Sequence, residues 1–156
     1  MGTDGDGQND PDQSNRVILL GAWLWYHSRG WQALAQTCPG TTQLTGKNLN
    51  DLLTGRWACA NLSPTENWNE QHLGGVVVDY KKGPNDPVDP TIPVGTYNIS
   101  NNGNAAATVT YTYGASSYGY AVYANPGTTI PNPGSYSFCT TGGGINIPVT
   151  VSASHC

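Results

Sequence analysis

The segment SNRVILLGAWLWYHSRGWQALAQTC, Ser14–Cys38, is the stretch on which the predicted fold depends. Residues 17–26 carry no charged side chain, and three of the chain's five tryptophans lie within the segment. Leucine, alanine and arginine favour helix, and the segment is longer than a typical buried strand. An apolar run of ten residues is too short to cross a bilayer, so we predict a long helix that does not span a membrane.

The predicted helix is apolar around its whole circumference, whereas a surface helix is apolar on one side only. Such a helix is either buried entirely in its own domain or packed between its own sheet and a neighbouring molecule. We favour the second arrangement, in which the outer face around Trp23 and Trp25 is a partner interface. In that arrangement Val17, Leu20 and Leu24 are buried within the monomer.

The charged residues are few and unevenly distributed. They make up 10% of the chain, and the net charge is −4. The four aspartates of residues 1–12 account for this charge, because the remaining six acids are matched by six bases. We therefore predict an acidic tail or linker over 1–12 and a single domain over 13–156. Its neutral surface offers no electrostatic basis for binding nucleic acid or anionic lipid.

The acidic tail also has the spacing of a calcium loop. Asp4, Asp6 and Asp10 can offer oxygen ligands around Gly7. In the register of an EF-hand, however, position 1 is a glycine and position 12 a glutamine, so two ligands are missing. A solvated tail is the interpretation that we favour, and the sequence predicts no other metal or cofactor.

Four cysteines, Cys38, Cys59, Cys139 and Cys156, form no CxxC pair and have no histidine at metal-binding spacing. We predict that they form disulfides in an exported protein. Three pairings are possible. The local one, Cys38 with Cys59 and Cys139 with Cys156, closes loops of about twenty residues, each contributing roughly 3 kcal/mol. The sequence has no secretory signal, so we expect that its N-terminus was trimmed.

Two short helices are predicted between the long helix and the strands. One covers Lys47–Leu53 and ends before Gly55. The other starts at the motif Ser63-Pro64-Thr65-Glu66, in which serine is the N-cap, proline occupies the first turn and glutamate reaches back to the cap. We expect this second helix to end at about His72.

The second helix places Glu66 and Glu70 four residues apart on one face, with His72 close by. Two carboxylates and a histidine are suited to acid–base or metal chemistry. The alternative is that Glu66 serves the capping box and that the helix dipole favours acids in the first turn. We favour this alternative and predict no catalytic residue and no enzyme.

The second half of the chain has strand-like sequence. We predict strands at 76–80, 96–101, 106–113, 118–124, 135–140 and 145–151, with a loop at 83–93 and a hairpin turn at Asn102-Gly103. In residues 108–113 the odd-numbered residues form the apolar face. The predicted fold is therefore α+β, a long N-terminal helix packed on an antiparallel sheet.

Six tyrosines of these strands are candidates for an aromatic platform that binds sugars. The alternative is that tyrosine is common here because it favours β-structure. These candidates are Tyr111, Tyr113, Tyr118, Tyr120, Tyr123 and Tyr136.

The order of the predicted elements resembles the soluble head of type IV pilins and of type II secretion pseudopilins. Tyr136-Ser137-Phe138-Cys139, followed by glycine-rich sequence and a terminal cysteine, looks like the C-terminal disulfide loop of many pilins. The resemblance implies a Cys139–Cys156 bond and a non-enzymatic fibre subunit, a minor pilin or pseudopilin. Its partners would be other subunits and the inner-membrane assembly machinery, and its location the periplasm or cell surface. The hydrophobic N-terminal segment and cleavage site that define the family are absent from the sequence.

Two other functions compete with the fibre subunit. A secreted glycan- or surface-binding β-rich adhesin module would use the strand tyrosines. A small secreted hydrolase would use Glu66, Glu70 and His72.

Overall fold

Eight antiparallel strands, each paired with its neighbour in the chain, form a closed barrel within the described residues. A computed structural model describes residues 38, 42–63, 66–79, 92–142 and 144–155, all of which belong to one compact unit. The last strand pairs with the first and closes the barrel, with Ala58 opposite Val151. The strands are β1 Trp57–Ser63, β2 Glu66–Leu73, β3 Val76–Asp79, β4 Ile92–Ile99, β5 Thr108–Tyr113, β6 Ser116–Ala124, β7 Gly134–Thr140 and β8 Asn146–Ser152.

The α+β prediction is wrong for the described residues. Their one helix, α1, covers Gly46–Leu53, and the apolar face of each strand is covered by the opposite wall of the barrel, not by a long helix. The predicted helix over 14–38, apart from Cys38, lies outside the described residues. So do the tail at 1–12 and the predicted positions Asp4, Asp6, Asp10, Val17, Leu20, Trp23, Leu24 and Trp25.

The predicted helix from Ser63 to His72 is also wrong. Residues 57–63 and 66–73 are two paired strands, with Trp57 opposite Gln71. Helix-start signals are local, whereas strand pairing depends on the whole sheet and can override them. The next connection, Gly74-Gly75, has positive φ at both residues (57° and 89°), as a two-residue type I′ hairpin requires.

The other strand predictions are confirmed. Strands β3 to β8 overlap the six predicted runs, and Asn102-Gly103 lies in the connection between β4 and β5. The predicted loop at 83–93 lies largely outside the described residues, and its last two residues belong to β4. The alternation of β5 is also confirmed, because Val109, Tyr111 and Tyr113 are buried while the threonines between them are half-exposed.

Helix α1 confirms the prediction for 47–53 and lies at one end of the barrel. The Thr45 hydroxyl caps it by accepting a hydrogen bond from Asn48 N at 3.2 Å. Lys47 N donates to Gly103 O in the β4–β5 connection, at 2.8 Å. Leu49, Leu52 and Leu53 are fully buried, so the apolar side of α1 covers this end. We call it the helix end, and the opposite end, with the β5–β6 and β7–β8 turns, the far end.

The disulfide pairing differs from the local pairing. Cys38 is bonded to Cys139 on β7, which excludes the local pairing among the three possible ones and the Cys139–Cys156 bond that the pilin resemblance implied. Cys59 is also disulfide-bonded. The observed bond joins residues 101 positions apart. A disulfide that closes a loop of that length stabilises the fold by about 4.7 kcal/mol in the chain-entropy model, more than one that closes a short loop. Loop length therefore gives no reason to prefer the local pairing.

Candidate functional site

Glu70 and His72, two of the three residues singled out for chemistry, lie on β2 and face the barrel interior. Side chains two positions apart on a strand share a face. Glu70 is 6% exposed and His72 is fully buried. The side chain of Glu66 lies outside the described part of the structure, so the predicted Glu66–Glu70 pair stays a prediction.

His72 has both ring nitrogens engaged. Nδ1 lies 3.3 Å from the carbonyl oxygen of Arg56, and Nε2 lies 2.8 Å from the Tyr111 hydroxyl. Burial lowers the pKa of His72 to about 4, so the ring is neutral at pH 7. The tautomer that fits both contacts carries its hydrogen on Nδ1, donates to Arg56 and accepts from Tyr111. His72 therefore ties β2 to β5 inside the barrel.

Glu70 is a carboxyl group kept neutral by its surroundings. Its Oε1 accepts a hydrogen bond from the Tyr113 hydroxyl at 2.7 Å. Burial, aided by the negative charge of Asp79, raises the pKa of Glu70 to about 8, although the Tyr113 hydrogen bond opposes the shift. At pH 7 this group can therefore both donate and accept hydrogen bonds.

The Tyr113 ring has room at this position because β4 carries a glycine beside it. A Cβ atom on Gly95 would lie 2.7 Å from Tyr113 Cδ1 and 2.5 Å from Thr112 O, closer than packed atoms allow. Burial also raises the pKa of Tyr113, so its hydroxyl keeps its hydrogen and donates to Glu70.

Tyr120, on β6, belongs to the same interior cluster and lies on the wall of the barrel opposite β2. Its side chain is 7% exposed, and its ring centroid lies 5.9 Å from that of Tyr111 and 6.1 Å from that of Phe138. Burial raises the pKa of Tyr120 to about 12. The two neighbouring phenols, Tyr111 and Tyr113, are hydrogen-bonded to His72 and to Glu70.

The predicted tyrosine platform does not form as one exposed surface. Tyr111, Tyr113, Tyr120 and Tyr136 are buried. Tyr118 is half-buried near the far end, with its ring centroid 6.4 Å from that of Tyr113. Tyr123 is half-buried on the other face of β6, which points away from the barrel interior. The structure therefore brings five of the six tyrosines into the barrel interior and leaves one outside.

Sequence reasoning missed two residues of this cluster, Tyr97 and Asp79. Tyr97 pairs with Tyr111 across β4 and β5, and its ring contacts His72 edge-on at a centroid distance of 4.8 Å. Asp79 pairs with Glu70 across β2 and β3. The signal for Asp79 was the Gly74-Gly75 turn, which sets the pairing of β2 with β3 and hence the residues that share a face.

The described residues contain no group of three histidine, cysteine, aspartate or glutamate side chains that could hold a metal ion. The predicted calcium ligands, Asp4, Asp6 and Asp10, lie outside them. None of the helices within the described ranges is both long and apolar enough to span a membrane.

Comparison of the chain with protein-family models, with curated proteins and with solved structures found no match.

Proposed function

We propose that this protein is an exported, non-enzymatic binding module that holds a carbohydrate at the far end of the barrel. The observation that carries the proposal is the half-buried Tyr118 ring beside the hydrogen-bonded Tyr113–Glu70 pair. Small-molecule sites typically combine aromatic walls with a few polar groups that fix orientation. A sugar ring presents both an apolar face and hydroxyl groups, so it suits such a site.

Three properties of the described residues support this choice. Helix α1 covers the helix end, and we therefore place the ligand at the far end. Beside Tyr118 lie the Tyr113 phenol and the protonated Glu70 carboxyl, with the negative charge of Asp79 next to Glu70, and these groups suit an uncharged ligand better than an anion. The Cys38–Cys139 bond is of the kind that persists in oxidising compartments, which supports export.

The fibre-subunit function is not part of this proposal. It depended on a helix packed on a sheet and on a Cys139–Cys156 loop, and the fold and the disulfide pairing contradict both. A hydrolase is not proposed either, because His72 has both ring nitrogens occupied and is fully buried.

A glycan array tests the proposal, with Tyr118→Ala and Tyr123→Ala as a matched pair on β6. We expect saturable binding to at least one glycan, lost in Tyr118→Ala and kept in Tyr123→Ala, whose side chain faces outward. The proposal fails if no glycan binds, or if both variants lose binding equally.

A further inference from the structure

Tyr111 lies at the centre of an aromatic cluster inside the barrel. Its ring centroid is 6.5 Å from that of Tyr97, 6.3 Å from that of Tyr113 and 5.9 Å from that of Tyr120. The Tyr118 ring follows at 6.4 Å from Tyr113. Tyr97 and Tyr118 are half-buried, whereas Tyr111 is buried. Neighbouring phenol rings therefore connect the buried Tyr111 with two rings that are partly exposed.

The partner of the Tyr111 hydroxyl is a neutral imidazole. The hydroxyl oxygen lies 2.8 Å from His72 Nε2, and the two ring centroids are 5.6 Å apart. His72 Nδ1 lies 3.3 Å from the carbonyl oxygen of Arg56, so the hydrogen of the neutral ring belongs on Nδ1 and Nε2 accepts from Tyr111. Because burial lowers the pKa of His72 to about 4, Nε2 carries no proton at neutral pH. Tyr111 therefore has a base within hydrogen-bond distance of its hydroxyl.

The neighbouring phenol of Tyr113 has a weaker base as its partner. Its hydroxyl donates to Glu70 Oε1 at 2.7 Å. Burial raises the pKa of Glu70 to about 8, so this carboxyl is already protonated at neutral pH. A protonated carboxyl accepts a proton much less readily than a neutral imidazole does. Of these two hydrogen-bonded phenols, Tyr111 is the one that can pass its proton to its partner.

A nearby base matters most for a buried phenol that loses an electron. A phenol that kept its proton would become a cation, and an isolated cation in the barrel interior is costly. An oxidised phenol is, however, a far stronger acid than an imidazolium, even one with a pKa of about 4. The proton therefore moves to His72 as the electron leaves. The imidazolium that forms donates to the Arg56 carbonyl oxygen and to the Tyr111 oxygen, and both hydrogen bonds stabilise it.

We propose that Tyr111 and His72 form a one-electron donor site that reduces small one-electron oxidants at the protein surface. The oxidant gains one electron through the partly exposed rings of Tyr97 or Tyr118. The O–H bond of Tyr111 breaks, its proton goes to His72 Nε2, and Tyr111 becomes a neutral radical. A one-electron reductant such as ascorbate returns the electron, and the proton returns from Nε2 to the Tyr111 oxygen. This site does not depend on the proposed carbohydrate binding.

Flash photo-oxidation of the full chain at neutral pH tests the proposal. A ruthenium tris-bipyridine complex, photo-oxidised to its Ru(III) form, serves as the one-electron oxidant, and transient absorption and EPR detect tyrosyl radicals. We expect a neutral tyrosyl radical in wild type, removed by ascorbate, and loss of this signal in Tyr111→Phe. Tyr136→Phe is the matched control, because Tyr136 is also buried but donates to the Asn132 carbonyl oxygen, which cannot take up its proton. Its radical signal should equal that of wild type.

Two further measurements test the role of His72. His72→Gln retains a side chain that can accept a hydrogen bond but is not a base, so it should lose the radical signal as Tyr111→Phe does. Wild type equilibrated in D2O should form the radical more slowly than in H2O, because the O–H bond breaks as the electron leaves. This second measurement needs no variant and applies even if a substitution at the buried His72 prevents folding. Circular dichroism shows which variants are folded.

The possible results separate clearly. A radical signal that is unchanged in folded Tyr111→Phe places the oxidation elsewhere and overturns the inference. Equal rates of radical formation in H2O and D2O also overturn it, because the proton then does not move with the electron. Equal losses in Tyr111→Phe and Tyr136→Phe would mean that Tyr111 is not a preferred site, and this result overturns it as well.

Discussion

Glu70 holds a carboxyl group away from water, and its protonation therefore affects the stability of the fold. Its pKa is raised from 4.5 to about 8 on folding. Below pH 4.5 the group is protonated in both states and has no effect. As pH rises from 4.5 to about 8, the unfolded chain releases the proton while the folded chain keeps it, so folding stability falls.

Glu70→Gln should remove this pH dependence. We expect the free energy of unfolding of the variant to rise relative to wild type between about pH 5 and about pH 8, and the difference to level off above the Glu70 pKa of about 8. Urea unfolding of the variant and of wild type across this pH range measures the difference in unfolding free energy. Asn98→Ala, an exposed substitution on β4 that removes no titrating group, should differ from wild type by a constant amount. A constant difference for Glu70→Gln as well would show that Glu70 is solvated.

At the scale of single elements, the Gly74-Gly75 hairpin sets which residues of β2 face the interior. Gly75 has φ of 89°, a conformation that disfavours residues with a Cβ atom. We expect Gly75→Ala to lower the free energy of unfolding by about 1–2 kcal/mol.

The matched control is Gly103→Ala in the β4–β5 connection. Gly103 does not have positive φ, and a Cβ there would meet only Asn101 Oδ1 at 3.8 Å, an ordinary contact. The thermal or urea unfolding midpoint of the Gly103→Ala variant should stay near that of wild type. Equal losses in the two variants would contradict the turn geometry assigned to β2 and β3.

Helix α1 is the second element with a measurable role. Leu49 is fully buried at the helix end, so Leu49→Ala should cost about 2–5 kcal/mol of unfolding free energy. Lys47→Ala on the exposed side of the same helix should cost at most about 1 kcal/mol, the contribution of a surface ion pair. Chemical unfolding of both variants measures the difference, and a small effect of Leu49→Ala would mean that α1 does not cover the barrel.

The elements with strong local signals were predictable from the sequence. The strand-like runs, the alternation in β5 and the Asn102-Gly103 turn identified the strands, and the short helix α1 was predicted to end before Gly55. The β1–β2 pair was missed because Ser63-Pro64-Thr65-Glu66 carries a helix-start pattern. Its assignment as helix would have put Glu70 on a surface, whereas as a strand residue it enters the interior.

At the scale of the whole molecule, closure and disulfide pairing were not predictable from local patterns. Closure pairs β1 with β8, strands almost a hundred residues apart in the chain. The Cys38–Cys139 bond similarly joins distant segments. Nothing in the spacing of strands or cysteines distinguishes these arrangements from an open sheet with local disulfides, so the Glu70–Tyr120 opposition could not be predicted either.

The disulfide pairing gives a prediction for the intact molecule. Proteolysis without reduction should release a Cys38 peptide linked to a Cys139 peptide, identified by mass spectrometry. Because the chain has four cysteines and Cys59 is also bonded, a Cys59–Cys156 peptide pair is expected beside it. A Cys139–Cys156 pair would contradict the arrangement, and reduced, alkylated protein serves as the control.

A closed barrel that buries Glu70 inside it is the claim on which the proposed site depends. The most direct measurement is an NMR titration of the Glu70 side-chain carboxyl carbon in the intact protein, with Glu70→Gln used to assign the signal. The closed barrel predicts a midpoint of about 8, whereas a midpoint near 4.5 would mean that water reaches the carboxyl group and would contradict the account.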